Sequence, residues 1–405
     1  MKIDIHRQSK HISYKGNNLF IEEASLLKLG EKFHTPIYCY SIKQIRENFL
    51  ELKNSFKKIK PIICYAVKAN FNKKIIDVLS KIGAGMDVVS GEELKLSLDC
   101  GVDRKKIVFS GVGKTEQEIK YAIKKNIKQL NVESEEELSE INLICLNLKK
   151  KINVSLRVNP DIDAGTLEKI STGRSEDKFG ISKNKILKIF KKYKSNKNIK
   201  INGLSIHIGS QINKLEPFKR AFKKIKNMIE NLKKEGFICE TLDLGGGVAI
   251  DYDDSKTLKI SDYAALIEKI FSDLNIEIIL EPGRYIVGSS GVLLSKVVRT
   301  KKGENKDFLI IDAGMNNLIR PSLYNAFHKI IPVKKSKKEK KYDVVGPICE
   351  TSDTFLKNMK IQEMKKDDYL VICSTGAYGS CMASNYNLRG LAKEIMIDGK
   401  KIFET

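Results

Sequence analysis

The chain has 405 residues, of which 41% are hydrophobic, and 73 Lys and Arg against 50 Asp and Glu give it a formal charge of +23. That length calls for two domains rather than one small core, and the apolar content suffices to fold them. The lysines are spread through nearly every helix and loop candidate ("KKYKSNKNIK", "KKSKKEKK"). They form no stripe interleaved with aromatics, and no zinc-finger or RNA-binding motif is present, so nucleic acid is excluded as a partner.

Eight cysteines (39, 64, 100, 145, 239, 349, 373 and 381) are scattered without a CxxC pair or ligand-like spacing to the five histidines. This pattern argues against a disulfide framework or a metal site and implies reduced thiols in the cytoplasm. The stretch "MKIDIHRQSKHISYKG" lacks the apolar core of a signal peptide, and no apolar run reaches membrane-spanning length. The expectation is a soluble intracellular protein that does not engage a membrane.

In chain order, "HISYKGNNLFIEE" within the first 33 residues has strand character. Residues 34–282 are assigned to a first domain, in which short apolar runs alternate with amphipathic helical patterns. The predicted strands are "IICYA" (62–66), "MDVV" (86–89), "IVFS" (107–110), "QLNV" (129–132), "INVSLRV" (152–158), "GLSIHI" (203–208), "TLDL" (241–244) and "IEIIL" (276–280). Helix starts are marked between them: Ser90 opens "SGEELKLSLDCG", and Ser134 three residues before Glu137 forms a capping-box pattern. Eight strands alternating with helices predict an α/β fold, a parallel sheet closed into a (β/α)8 barrel. An open doubly wound sheet is the alternative, although no strand is followed by a dinucleotide fingerprint. From 283 to 405, "GVLLSKVVRTKKG", "DFLIIDAG", "KYDVVG" and "DYLVICSTGAYG" predict a second, mainly antiparallel β domain, joined by residues 1–33.

The chemistry of such a barrel collects at the C-terminal ends of its strands. There the sequence places Lys68 after the first strand and Asp87 in the second. Arg157 ends the fifth and His207 the sixth, "GGG" (245–247) follows the seventh, and "EPGR" (281–284) follows the eighth. A lysine is ordinarily solvated and a triple glycine is ordinarily a tight turn. Together, however, these residues suit one ligand. Glycine N–H groups with Ser210 can hold a phosphate, and a lysine in a partly apolar pocket can lose its proton and condense with an aldehyde. Glu281 can keep a pyridine nitrogen protonated. Phosphate, aldehyde and pyridine describe pyridoxal 5′-phosphate.

"YAVKAN", "HIGSQI", "LGGG", "EPGR", "GPICETSD" and "GAYG" in this order resemble the barrel-type pyridoxal-phosphate decarboxylases of basic amino acids, most closely those acting on diaminopimelate. The resemblance spans nearly the whole chain and implies a homodimer with shared active sites. It implies that Lys68 is the Schiff-base lysine, that His207 stacks on the cofactor ring, and that Glu281 pairs with the pyridine nitrogen. Asp87, Gly283 and Arg284 fall among the implied cofactor-binding positions. Ser210, Gly246 and Gly247 would contact the phosphate, with Tyr378 near both phosphate and substrate. Cys349 would be the proton donor, contributed by the neighbouring subunit.

Meso-diaminopimelate differs from ornithine and arginine in carrying a carboxylate at its far end, which calls for a guanidinium and a carboxylate in the site. Arg320 and Tyr324 in "MNNLIRPSLYNAFH", with Arg284 and Glu350, meet that demand. The implied reaction yields L-lysine and carbon dioxide. Ornithine- or arginine-type decarboxylation, alanine racemisation and a non-catalytic cofactor-binding regulator are the rival readings. One departure from the family lies in the loop 164–175, where Leu167, Glu168 and Lys169 stand in place of the usual histidine and aromatic residue before "STG".

Overall fold

The computed structural model describes residues 9–165, 172–174, 176–254 and 257–405. The chain divides into two compact units. One comprises Phe49–Ala249 and Thr257–Gly283; the other comprises the segment ending at Asn48, a short piece from Ile250, and Arg284–Thr405.

The first unit is a closed barrel. Its strands are β1 (Ile62–Ala66), β2 (Gly85–Val88), β3 (Ile107–Phe109), β4 (Gln129–Val132), β5 (Ile152–Asn159), β6 (Ile199–Ser205), β7 (Thr241–Asp243) and β8 (Glu277–Leu280). Each pairs in parallel with the next, and β8 pairs with β1. Strands covered on both faces read as unbroken apolar runs, which is why they were visible in sequence. The sixth strand differs from expectation. It begins at Ile199 and stops at Ser205, so His207 lies beyond the strand rather than at its end. A register shift between Ile201 and Gly203 accompanies this, and a Cβ on Gly203 would stand 2.1 Å from the Thr241 carbonyl oxygen. Only glycine lets β6 and β7 approach so closely.

Within the barrel, side chains alternate between the interior and the surrounding helices. Cys64, Val108 and Ile279 form a small apolar floor. Two residues further along β3 and β8, on the same face, come Ser110 and Glu281, both buried. Gln129 and Asn131 on β4 and Thr241 and Asp243 on β7 are buried as well. The strand ends therefore carry a polar layer above an apolar one.

The helices are capped as their sequences imply, with one correction. Ser90 caps Gly91–Asp99, and Ser134 caps Glu135–Leu148 by accepting the Glu137 N–H. The Glu137 carboxylate accepts the N–H of Glu133 at 2.7 Å instead of that of Ser134, so the expected reciprocal box is not closed there. A closed box joins Thr115 and Glu118 at the start of Glu116–Lys125.

In the second unit the spine is Gly291–Lys302, which pairs antiparallel with Asp307–Ile311, Tyr369–Ile372 and Ile37–Ser41. Ile37–Ser41 lies between that spine and Lys393–Asp398, which it meets in parallel. Residues 34–48, read from sequence as the beginning of the barrel domain, thus belong to this unit. A buried strand followed by a helix looks the same in either place, and only its pairing partners decide. The strands Ile12–Lys15, Asn18–Ile21 and Ala24–Ser25 make a small antiparallel sheet whose Ile12, Leu19 and Ile21 share a core with Val292, Leu294 and Val371. Among the described residues, no helix is long and apolar enough to cross a membrane, and no His, Cys, Asp and Glu cluster could hold a metal ion.

Candidate active site

At the end of β1 the chain turns through one 3₁₀ turn, Val67–Ala69, which projects Lys68 at the barrel mouth. Its Nζ donates to Asp87 Oδ2 at 2.7 Å; the Lys68 side chain is 40% exposed, whereas Asp87 is fully buried. This corrects the expectation of a partly apolar pocket, since an ion pair orients the amine. The other Asp87 oxygen, Oδ1, is buried without a hydrogen-bond partner among the described residues.

Glu281 Oε1 accepts from Ser110 Oγ (3.1 Å) and Asn131 Nδ2 (3.2 Å). Burial, followed by the charges of Asp243 and Asp87, pushes its pKa well above the usual range. Across the mouth, His207 Nδ1 accepts the N–H of Gly246 at 3.2 Å. Burial first, then the charges of Arg157 and Lys68, lower its pKa to about 3, so its ring is neutral at physiological pH. Arg157 Nη1 is tied to Glu133 at 2.6 Å, and its guanidinium lies 4.7 Å from the Phe179 ring centre.

The glycine run after β7 is pressed close to its neighbours. Gly247 has φ +103°, and a Cβ there would fall 2.4 Å from the Gly209 carbonyl oxygen, beside Ser210; one on Gly246 would fall 2.2 Å from the Glu281 carbonyl oxygen. The barrel unit therefore gathers Lys68, Asp87, His207, Ser210, Gly246, Gly247, Glu281 and Gly283.

The second unit gathers the remaining basic and aromatic candidates around Tyr252. Arg284, 6% exposed, donates from Nη1 to the Tyr252 hydroxyl at 2.7 Å, with its guanidinium 4.8 Å from the Tyr378 ring centre. Arg320, 7% exposed, sits 5.4 Å from the Tyr252 ring centre and 5.7 Å from that of Tyr324. Its Nε meets His328 Nε2 at 3.3 Å. Among the described residues Arg320 has no carboxylate partner. Cys349 and Glu350 lie instead on an exposed segment, where Glu350 accepts from the Tyr386 hydroxyl and from Ser352 Oγ.

A model of the pyridoxal-dependent decarboxylase family, pyridoxal binding domain, matches residues 42–288. The chain belongs to this family. It is 42% identical over 394 residues to a diaminopimelate decarboxylase of Aquifex aeolicus, an alignment covering 97% of this chain and 93% of that one. It superimposes with a TM-score of 0.90 on diaminopimelate decarboxylase from Helicobacter pylori complexed with L-lysine, at 42% identity, covering 93% of this chain and 95% of that one. The corresponding M. jannaschii enzyme with L-lysine gives a TM-score of 0.93 at 36% identity, covering 98% and 95%.

The decarboxylase cofactor fits the residues present. The barrel offers an amine for an aldehyde, a glycine cradle that a Cβ would fill, a carboxyl for a ring nitrogen, and an Asp87 oxygen still lacking a donor. Sequence reasoning missed Ser110, Asn131 and Asp243 around Glu281, and Tyr252 and His328 around the arginines. The signal was there for the first group: a polar residue inside an otherwise apolar buried strand must have a partner. It also missed Lys114, whose side chain is 1% exposed and which binds the carbonyls of Gly111 and Asn131 together with Glu137.

The His207 geometry yields a pH prediction. Its folded-state pKa of about 3 lies below the ordinary 6.5, so the unfolded chain binds a proton that the folded chain refuses. Its contribution to stability is therefore lost as pH falls below about 6.5. By NMR, the His207 ring resonances should not titrate between pH 5 and 8. In urea unfolding, the wild type should lose more stability than His207→Gln on going from pH 7 to pH 4.

Proposed function

We propose that the chain decarboxylates meso-diaminopimelate to L-lysine and carbon dioxide, the last step of lysine synthesis. The observation that carries the substrate is Arg320, a buried guanidinium without a carboxylate partner among the described residues. A buried cation of this kind calls for an anion, and the distal carboxylate of diaminopimelate is one that lysine and ornithine lack. The names of the full-length relatives support the same reading. Eight cysteines that form no disulfide support a reducing compartment, the cytoplasm.

When bound, pyridoxal phosphate supplies an electron-accepting ring. The chain's residues divide the remaining work. Lys68 presents the amine that would hold the cofactor, kept in place by Asp87. Glu281 would pair with the ring nitrogen. Neutral His207 offers a flat surface without setting a second cation against the ring. Gly247, Gly283 and Ser210 would donate to the phosphate, with Gly246 shaping the cradle while its N–H holds His207 Nδ1; Tyr378 and Arg284 are assigned as further cofactor contacts. Arg320, with Tyr324, orients the substrate by its far end, and Glu350 accepts from the distal ammonium. The Cys349 thiol returns a proton to the carbon that has lost its carboxylate.

We infer further that two copies combine, with Cys349 and Glu350 serving the partner's site. Both residues are exposed, and the same unit leaves Tyr386, Leu388 and Leu391 at 45%, 95% and 63% exposure. Such an apolar ridge supports an interface with a second copy.

Purified protein loaded with pyridoxal phosphate should release carbon dioxide and L-lysine in equal amounts from meso-diaminopimelate. Turnover of ornithine or lysine with none of diaminopimelate would overturn the assignment. Arg320→Ala removes a charged hydrogen bond of roughly 1.5–3 kcal/mol and should lower kcat/KM by about tenfold to a few hundredfold. The visible absorbance of the bound cofactor should persist in that variant, because Arg320 is assigned to the substrate alone. Mixing inactive Lys68→Ala and Cys349→Ala subunits should restore part of the activity. Proven subunit exchange without recovery would mean that each chain builds its own site.

A further inference from the structure

Beneath Glu281 the barrel holds a more elaborate hydrogen-bonded system than a single acceptor requires. Asp243 is fully buried; its Oδ1 accepts the Gly245 N–H at 2.9 Å, and its Oδ2 accepts Asn131 Nδ2 at 2.9 Å. The same Asn131 nitrogen donates to Glu281 Oε1 at 3.2 Å and to Ser110 Oγ at 3.0 Å, so the two carboxyls share one buried donor. Asn131 Oδ1 accepts from Gln129 Nε2 at 2.9 Å, and Gln129 Oε1 accepts from Thr241 Oγ1 at 3.1 Å. A chain of amides across β4 and β7 thus brings one NH₂ group to two carboxyls and to the Ser110 hydroxyl, which itself donates to Glu281.

Two buried carboxyls held on one shared donor disfavour a second negative charge. The charged and titratable groups around them are Asp87 from β2, Lys68 beyond β1, Cys64 from the apolar floor, and Tyr263 from the helix Ile260–Phe271. Burial raises the pKa of Cys64 and of Tyr263, which leaves both neutral. Lys68 supplies the positive charge, and it is already paired with Asp87. The other nearby lysine, Lys114, sits on the Asn131 carbonyl and is paired with Glu137, so each of the two lysines already has a carboxylate of its own.

We propose that Asp243 is a positioning residue for the decarboxylase site: it and Glu281 carry one proton between them, held on Glu281, with Asn131 fixing both carboxyls. The proton belongs to Glu281 because both Asp243 oxygens already accept protein donors, whereas among the described residues both side-chain donors to Glu281 reach Oε1. Burial, foremost, pushes Asp243 up to about 6 and raises Glu281 well above its ordinary range. The barrel thereby stores, at the position assigned to the ring nitrogen, the proton which that nitrogen needs. The use of the stored proton rests on the function proposed above, but its presence in the cofactor-free chain does not.

Infrared spectroscopy of the full chain freed of cofactor tests this directly. At pH 7 the wild type should show a protonated-carboxyl band that is lost in Glu281→Gln. In Asp243→Asn the band should titrate with a midpoint lower by about one pH unit or more, since a like charge has been removed. A purely architectural Asp243 would leave that midpoint unmoved, and this outcome, or the absence of the band in the wild type, overturns the proposal. If Asp243→Asn does not fold, urea unfolding of the wild type and Glu281→Gln carries the test. A raised folded-state pKa gives stability that is lost as pH rises, so the wild type should fall relative to Glu281→Gln between pH 5 and 8. Parallel pH profiles would overturn the proposal. Failure of diaminopimelate turnover with the band present would count against the function alone.

Discussion

Closing eight parallel strands into a barrel points every second side chain into a space that excludes water. Any polar group placed there must find its partner within the protein or in a ligand. Much of the barrel unit's chemistry follows from that constraint. Cys64, Val108 and Ile279 satisfy it by being apolar. One layer higher, Ser110, Asn131, Asp243 and Glu281 satisfy it mutually, through hydrogen bonds of 2.9–3.2 Å. Asp87 satisfies it only halfway, with one oxygen on Lys68 and the other still without a donor. A polar layer left incomplete at the mouth of an otherwise complete interior is what a bound cofactor would finish.

The same constraint gives Lys68 a different role from that of a desolvated amine. Lys68 is 40% exposed and paired with a buried carboxylate, so its position is set by electrostatics as well as by the strand that delivers it. His207 shows the complementary case. Its ring is kept neutral by burial and by the charges of Arg157 and Lys68, and its orientation is fixed by the N–H of Gly246. The glycine at 246 serves both the ring and the close approach to the Glu281 carbonyl, so a side chain there would disturb two contacts at once.

The β-rich unit follows the opposite electrostatic logic. Its buried residues are two guanidiniums set against tyrosine rings, with a neutral His328 behind Arg320. Burial, above all, lowers the pKa of Arg320, and the charge of Arg284 adds to the effect. Aromatic faces and a hydroxyl soften the desolvation of these cations without cancelling their charge. A pocket wall of this kind favours an incoming carboxylate over a second ammonium, which is the distinction between diaminopimelate and the shorter basic amino acids.

The sequence alone determined the strand and helix succession of the barrel, because buried parallel strands are apolar throughout and their helices begin at Ser90 and Ser134 with recognisable caps. It also marked Lys68, His207, the triple glycine and Glu281, since unusual residues at strand ends stand out against that background. The tertiary structure alone decided what those residues touch. That Ile37–Ser41 pairs with Gly291–Lys302 rather than entering the barrel depends on hydrogen bonds between residues some 250 positions apart in register. The Lys68–Asp87 pair, the Asn131 bridge between Asp243 and Glu281, and Tyr252 between two arginines join residues whose spacing carries no periodicity. A local pattern reports the surface on which a segment packs; which groups meet across that surface is settled only when the chain closes on itself.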